Sequence, residues 1–185
     1  MSVDQTVVDN IHVGPGELVL TRDGTPVTFA ATEEGGMLKV TRALEYIEAD
    51  EVVGRLDAYI TGEEAAFEVM CLEQDASLIK ESMGHGTITT TAATASVTGK
   101  DEFEFGGGST LYVSALQYKV PRRNNPNLYI TIDLYRVVAE VDVEKKYTKK
   151  GKTAFRVRFS ALNDMSKAAG KRLGKITIET TAPTS

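Results

Sequence analysis

Phe155-Arg156-Val157-Arg158-Phe159-Ser160 sets large apolar side chains on odd positions and charged or polar ones on even positions. A period of two marks a strand with one buried and one wet face. Leu128, Ile130, Ile132 and Leu134 alternate with Tyr129, Thr131 and Asp133 in the same way. Working outward, the pattern recurs at Leu18 and Leu20, at Val27 and Phe29 behind Pro26, and at Leu38 and Val40. It returns at Phe67, Val69 and Cys71, and at Leu111 and Val113, which predicts roughly eight or more strands. Turns are expected at Arg22-Asp23-Gly24-Thr25, where Asp-Gly suits positive φ, at Gly35-Gly36, and at Lys149-Lys150-Gly151-Lys152. Helical spacing is clear in LEQDASLIKESMG, where Leu72, Ala76, Ile79 and Met83 share a face and Gly84 stands at the C′ position. LNDMSKAAGKRLG, residues 162–174, could form a second short helix, weakened by Gly170. The expected fold is mainly β: an antiparallel β-sandwich or barrel with one flanking α-helix.

The chain has 185 residues, enough for one well-cored domain. Residues 11–179 are read as that domain, with mobile tails at 1–10 and 180–185 and a long loop or arm at 84–109 holding at most an edge strand. Composition is 42% hydrophobic and 25% charged, with no run of 18 or more apolar residues. The opening MSVDQTVVDN carries two acids and no basic and apolar signal pattern. Neither membrane insertion nor secretion is therefore expected. The single cysteine, Cys71, makes no internal disulfide, and with two histidines it does not furnish a four-ligand zinc site.

A net charge of −5, from 21 Lys and Arg against 26 Asp and Glu, argues against a general nucleic-acid binder. Residues 1–92 hold 5 basic and 17 acidic side chains, net −12, whereas residues 93–185 hold 16 and 9, net +7. Such a split can join the two halves within a subunit or put complementary faces on successive copies. Otherwise it is an unevenly solvated surface.

Sites of chemistry find little support. Gly14-Pro15-Gly16, Gly84-His85-Gly86 and Gly106-Gly107-Gly108 lack the Lys-Ser/Thr of a phosphate loop and read as turns. His85 has no nucleophile in an elbow and no metal-ligand spacing. The pairs Glu33-Glu34, Asp50-Glu51 and Glu63-Glu64 place adjacent acids on opposite faces of a strand, so they do not converge on one substrate. The run Lys145-Lys146-Tyr147-Thr148-Lys149-Lys150-Gly151-Lys152 could grip nucleic acid, but it is short and reads as a solvated or protein-contacting hairpin tip. No catalytic, cofactor or metal residues are assigned, and the chain is expected not to be an enzyme.

One stretch carries a resemblance. HVGPGELVL, ATEEGGMLKVTRALEYIEAD and GRLDAYITGEEAAFEVMCLE, within residues 12–73, resemble the tail tube proteins of long-tailed bacteriophages. The shared features are a small-residue turn opening a strand, a Gly-Gly hairpin, a strand ending in E-x-D, a Thr61-Gly62-Glu63-Glu64-Ala65 turn, and an alternating strand handing over to a helix. The likeness spans about a third of the chain. It implies hexameric rings stacking head to tail into a hollow tube through which DNA passes without specific binding. It also implies a virion location after synthesis in the bacterial cytoplasm, with a tape-measure protein and a tail terminator as partners. Under that reading Glu45, Glu48 and Glu68 are lumen candidates, with Glu45 and Glu48 of opposite parity. Glu33, Glu34, Lys145, Lys146, Lys149 and Lys150 are candidates for inter-ring contacts. Phage-like particles and the ring protein of type VI secretion share the implied fold. A lipocalin-like ligand barrel is the alternative from another class, disfavoured by the absence of Trp and the 7% aromatic content. An enzyme using the acid pairs is a third.

Overall fold

The computed structural model describes residues 16–29, 32–48, 54–72, 75–107, 110–123, 125–140 and 155–180. Residues 1–10, residues 181–185 and the 145–152 run lie outside these. Strand β1 (Glu17–Arg22) turns through Asp23 (φ 49°) and Gly24 (φ 79°) into β2 (Thr25–Phe29). Two consecutive left-handed residues give the hairpin turn whose twist matches the strands, as Asp-Gly predicts. Next come β3 (Thr32–Glu48), β4 (Arg55–Cys71) and α1 (Ala76–Met83). They are followed by β5 (Thr87–Thr91), β6 (Lys100–Glu104), β7 (Ser114–Pro121), β8 (Tyr129–Glu140), β9 (Phe155–Ala161) and β10 (Gly174–Ile178).

Every pairing is antiparallel, in the order β2-β1-β7-β8-β9-β4-β3. Strand β8 forks. Along one edge it pairs with β7; on the other, Ile130–Leu134 pair with β10 and Val137–Glu140 with β9. The sheet also folds over itself, because Phe67 of β4 and Tyr118 of β7, with β8 and β9 between them in the order, meet with ring centroids 4.9 Å apart. The fold is a sandwich, with Leu18, Leu20, Phe29, Val69, Leu116, Val137, Phe155, Val157 and Phe159 filling the space between its layers. Alternation in β9 is followed literally: Phe155, Val157 and Phe159 are buried, Arg156 and Arg158 exposed.

Helix α1 closes one end. The Asp75 side chain accepts from Ser77 N at 2.7 Å, Gly84 (φ 67°) receives the chain in the left-handed conformation, and Leu78 enters the core. Among the described residues this is the one helix.

Several expectations are corrected. Gly35-Gly36 makes a bulge inside β3 and not a hairpin, with Gly35 at φ 77°. Gly36 is required by close approach, since a Cβ there would collide with the Phe67 ring and reach Tyr118 Cζ at 3.0 Å. Thr61–Ala65 is not a turn either; it lies within β4. Leu111 and Val113 are not in a strand, because Tyr112 is tied to the helix end, its N–H donating to Gly84 O (2.8 Å) and its hydroxyl to Gly86 O (2.6 Å). The strand begins at Ser114 instead. Residues 162–174 are not helical: Ser166 N donates to the Asp164 carboxylate, Asp164 N to Arg172 O, and Gly170 turns at φ 78°. The arm at 84–109 holds two strands, β5 and β6, paired as a hairpin that packs on α1.

Candidate assembly surface

Strands β3 and β4 each run 17 residues and pair from Thr32 opposite Cys71 to Glu48 opposite Arg55. At ~3.3 Å per residue the hairpin is about 55 Å long. Only Ala66–Cys71 of β4 gains a third strand, β9. From Ala65 outward the two strands project as a ribbon on which, among the described residues, no third strand is laid.

Its two faces follow from the register. On the face continuous with the core, Leu38 opposes Phe67, Val40 opposes Ala65, and Arg42 opposes Glu63 with Nε 2.7 Å from Oε1. A bulge between Ala43 and Leu44 then inserts Thr61, so Leu44 opposes Ile60 and Tyr46 opposes Ala58. The extra residue reverses the parity of β4 and keeps apolar side chains on this inner face, where the odd-numbered positions would otherwise have brought Tyr59 and Asp57. Arg55 completes it, stacked 3.7 Å over the Tyr46 ring and 3.8 Å from Glu48. Val40, Leu44, Tyr46, Ile47, Leu56, Tyr59 and Ile60 are all exposed, Val40 at 52% and Ile60 at 56%.

The outer face carries Lys39, Thr41, Glu45, Asp57, Tyr59, Glu64 and Glu68. Glu45 lies opposite Tyr59, and its carboxylate, accepting from the phenol, raises the Tyr59 pKa above the ordinary value, with a smaller push from desolvation. Glu68 is held by Arg156 of β9 at 3.0 Å, and Arg158 beside it holds Glu140 at 2.8 Å.

Glu45 and Glu68 therefore share a face, since Glu68 opposes Met37, which has the parity of Glu45 on β3, and Glu48 is on the other. Glu48 cannot line the same surface as they do, because it sits with Arg55 on the inner face. Glu33 and Glu34 are not at a hairpin tip. They lie at the start of β3, by the Gly35 bulge, at the opposite end of the hairpin from residues 49–54. Lys145, Lys146, Lys149 and Lys150 lie outside the described residues. Alternation could have found the inner apolar stripe of β3, at Leu38, Val40, Leu44 and Tyr46, but not that of β4, whose phase changes at the bulge.

Where the ribbon leaves the body, the sandwich is open. A groove of ≈ 220 Å³ runs between Leu38, Val40 and Ala65 on one wall and Ile132, Leu173 and Ile176 on the other. A second, shallow groove on the outer face of β1, β7 and β8 is polar, and its central Asp133 is engaged by Gln117 (2.7 Å) and Lys175 (3.4 Å). His85 Nδ1 is 2.8 Å from Met83 O at the helix end, away from both grooves. Glu63 and Glu64 point to opposite faces.

No protein-family model matches the chain, and no curated protein matches it. Among the described residues, no helix is long and apolar enough to cross a membrane.

Proposed function

We propose that this chain is the repeating subunit of a self-assembling hollow tube, the tail tube of a long-tailed bacteriophage or a phage-like particle. The observation that carries the reading is the ribbon of β3 and β4, with large apolar side chains exposed on both faces. A two-stranded ribbon is marginal by itself in water, and an apolar surface of this extent marks an interface. Fully burying a side chain of this size contributes about 1.5–3 kcal/mol, and because the seven are each only about half exposed, covering all of them represents on the order of 5–10 kcal/mol. That is the scale needed to offset the ~4–15 kcal/mol cost of association.

A second copy is the natural partner, because the ribbon, the open groove and the uneven charge all recur on every copy. Contacts between unlike surfaces of identical subunits close into rings or extend as filaments. The outer face, with Glu64 at the base of the ribbon and Glu45 and Asp57 toward the tip, supports a lumen that repels phosphate. Glu68 adds little there, being neutralised by Arg156. The ligand-barrel alternative is not favoured, because Phe67, Tyr118, Phe155 and Phe159 fill the space that a ligand would occupy.

Negative-stain electron microscopy and sedimentation velocity of the concentrated protein, at low and high salt, test the proposal. The expected result is hollow rings or tubes of uniform width whose amount depends on salt. A 20.1 kDa monomer at every concentration and ionic strength would overturn it.

A further inference from the structure

The two ends of the body differ. One is closed by α1, with Leu78 inserted and Gly84 against Ala139 of β8; the other is open at Val40, Ile132 and Ile176. Ala139 and Ile132 are seven residues apart on one strand, about 23 Å. The β5–β6 arm is attached at the closed end, where it packs on α1, and it too is a two-stranded hairpin without a third strand among the described residues. Its Phe105 is 67% exposed, stacked on Phe103 at 5.7 Å, and Val97 is exposed at its loop.

We propose that the open groove of one copy receives the β5–β6 arm of a second copy. The inference rests on the self-assembly reading and names the contact that drives it. Shape and polarity agree: a slot with Leu38, Val40, Ile132 and Ile176 on its walls matches a projection whose Phe105 and Val97 stand exposed among the described residues. Charge agrees as well. Lys171 and Arg172 border the groove, where Lys175 is engaged by Asp133 and Arg42 by Glu63; the arm presents Asp101, Glu102 and Glu104 against Lys100. Lys100 is already engaged by Glu102 at 2.8 Å, which leaves the arm's remaining charge acidic. No residue of the arm lines the groove, so a copy does not fill its own groove. The contact is head to tail, the geometry that propagates from copy to copy.

Two experiments on the full chain test this. In the first, Asp101→Lys with Glu102→Lys is compared with the same chain further carrying Lys171→Glu and Arg172→Glu, folding being checked by circular dichroism. The arm swap should raise the concentration for half-assembly at least tenfold at low salt, and the compensating swap should recover most of that loss. In the second, Phe105→Cys and Ile176→Cys chains are mixed, assembled and oxidised. A mixed disulfide dimer is expected only when both variants are present, since the bond needs Cα atoms within about 7 Å; buried Cys71 serves as the common background. An arm swap that assembles like the unaltered chain, a swap that compensation does not rescue, or assemblies without the mixed dimer would each overturn this contact and leave self-assembly standing. Failure of the unaltered chain to assemble under any condition would overturn both.

Discussion

The body and the ribbon are two halves of the same hairpin, built from the same alternation, with opposite fates. In β4, Phe67, Val69 and Cys71 are buried, whereas Ile60 and Tyr59 stand in water. The difference is what lies opposite. Phe67 has Tyr118 from the other layer and Phe159 from the neighbouring strand, while among the described residues Ile60 has Leu44 across the ribbon and no third strand beside it. Period two fixes which side chains share a face; a covering layer, from this chain or another copy, decides whether that face is a core or an interface.

If the body is a packed core and the ribbon an unfilled interface, substitutions should separate stability from assembly. The largest effect belongs to Phe67→Ala, which empties the contact between the layers and should cost ~3–5 kcal/mol in urea unfolding. Arg22→Ala comes next. Arg22 sits 2.9 Å from Glu81, whose side chain is 6% exposed, and 3.8 Å over the Tyr112 ring; among the described residues the other Glu81 oxygen has no hydrogen-bond partner. Removing the arginine leaves a buried carboxylate alone, at ~2–4 kcal/mol, discounted because Arg22 itself is partly exposed. Arg22→Ala combined with Glu81→Leu should recover part of that loss. Gly36→Ala follows at ~1–3 kcal/mol, through overpacking against Phe67 and Tyr118.

On the ribbon the order of effects inverts. Leu44→Ser with Ile60→Ser should change the unfolding free energy of the monomer by no more than ~0.5 kcal/mol, because both side chains are already exposed. The same pair should raise the concentration for assembly tenfold or more, equivalent to ~1.4 kcal/mol per tenfold step. A large loss of monomer stability would mean that the ribbon folds back on its own body, and the contrast would break.

Much of the body was legible in the sequence. Strands with a clean alternation, β1, β2, β8 and β9, stand where the pattern places them, and α1 ends at the expected Gly84. The ribbon was obscured by its irregularities. Gly35-Gly36 and Thr61-Gly62 carry turn-forming residues, but they bend and re-phase long strands without reversing them, and a local signal does not distinguish the two. Tyr112 misplaced the start of β7 for a related reason: Leu111 and Val113 alternate properly, yet the tyrosine spends its hydrogen bonds on the helix end. Of the candidate site residues, opposite parity for Glu45 and Glu48 was readable from β3 alone. That Glu68 shares the face of Glu45 depends on its lying opposite Met37, of the same parity as Glu45 on β3, which only pairing reveals.

The smallest effect lies on the boundary between the two regions, in the loop that borders the groove. Asp164 accepts from Ser166, through its side chain and its backbone N–H at 2.9 Å, and these bonds, aided by Lys167 and Arg136, hold its pKa below the ordinary 3.8. A carboxyl with a depressed folded value stabilises the loop fully above the unfolded pKa and loses that contribution as pH falls through the folded one. The loop should therefore keep its turn through mild acid and release it only below about pH 3.8. Carboxyl carbon NMR should give an Asp164 midpoint below that value, and Asp164→Asn should remove the acid dependence of the Ser166 amide. A midpoint at the ordinary value would mean that the turn is open in solution. The groove would then be bordered on that side by a segment as unsupported as the ribbon, and the division between body and ribbon would move inward to Leu173.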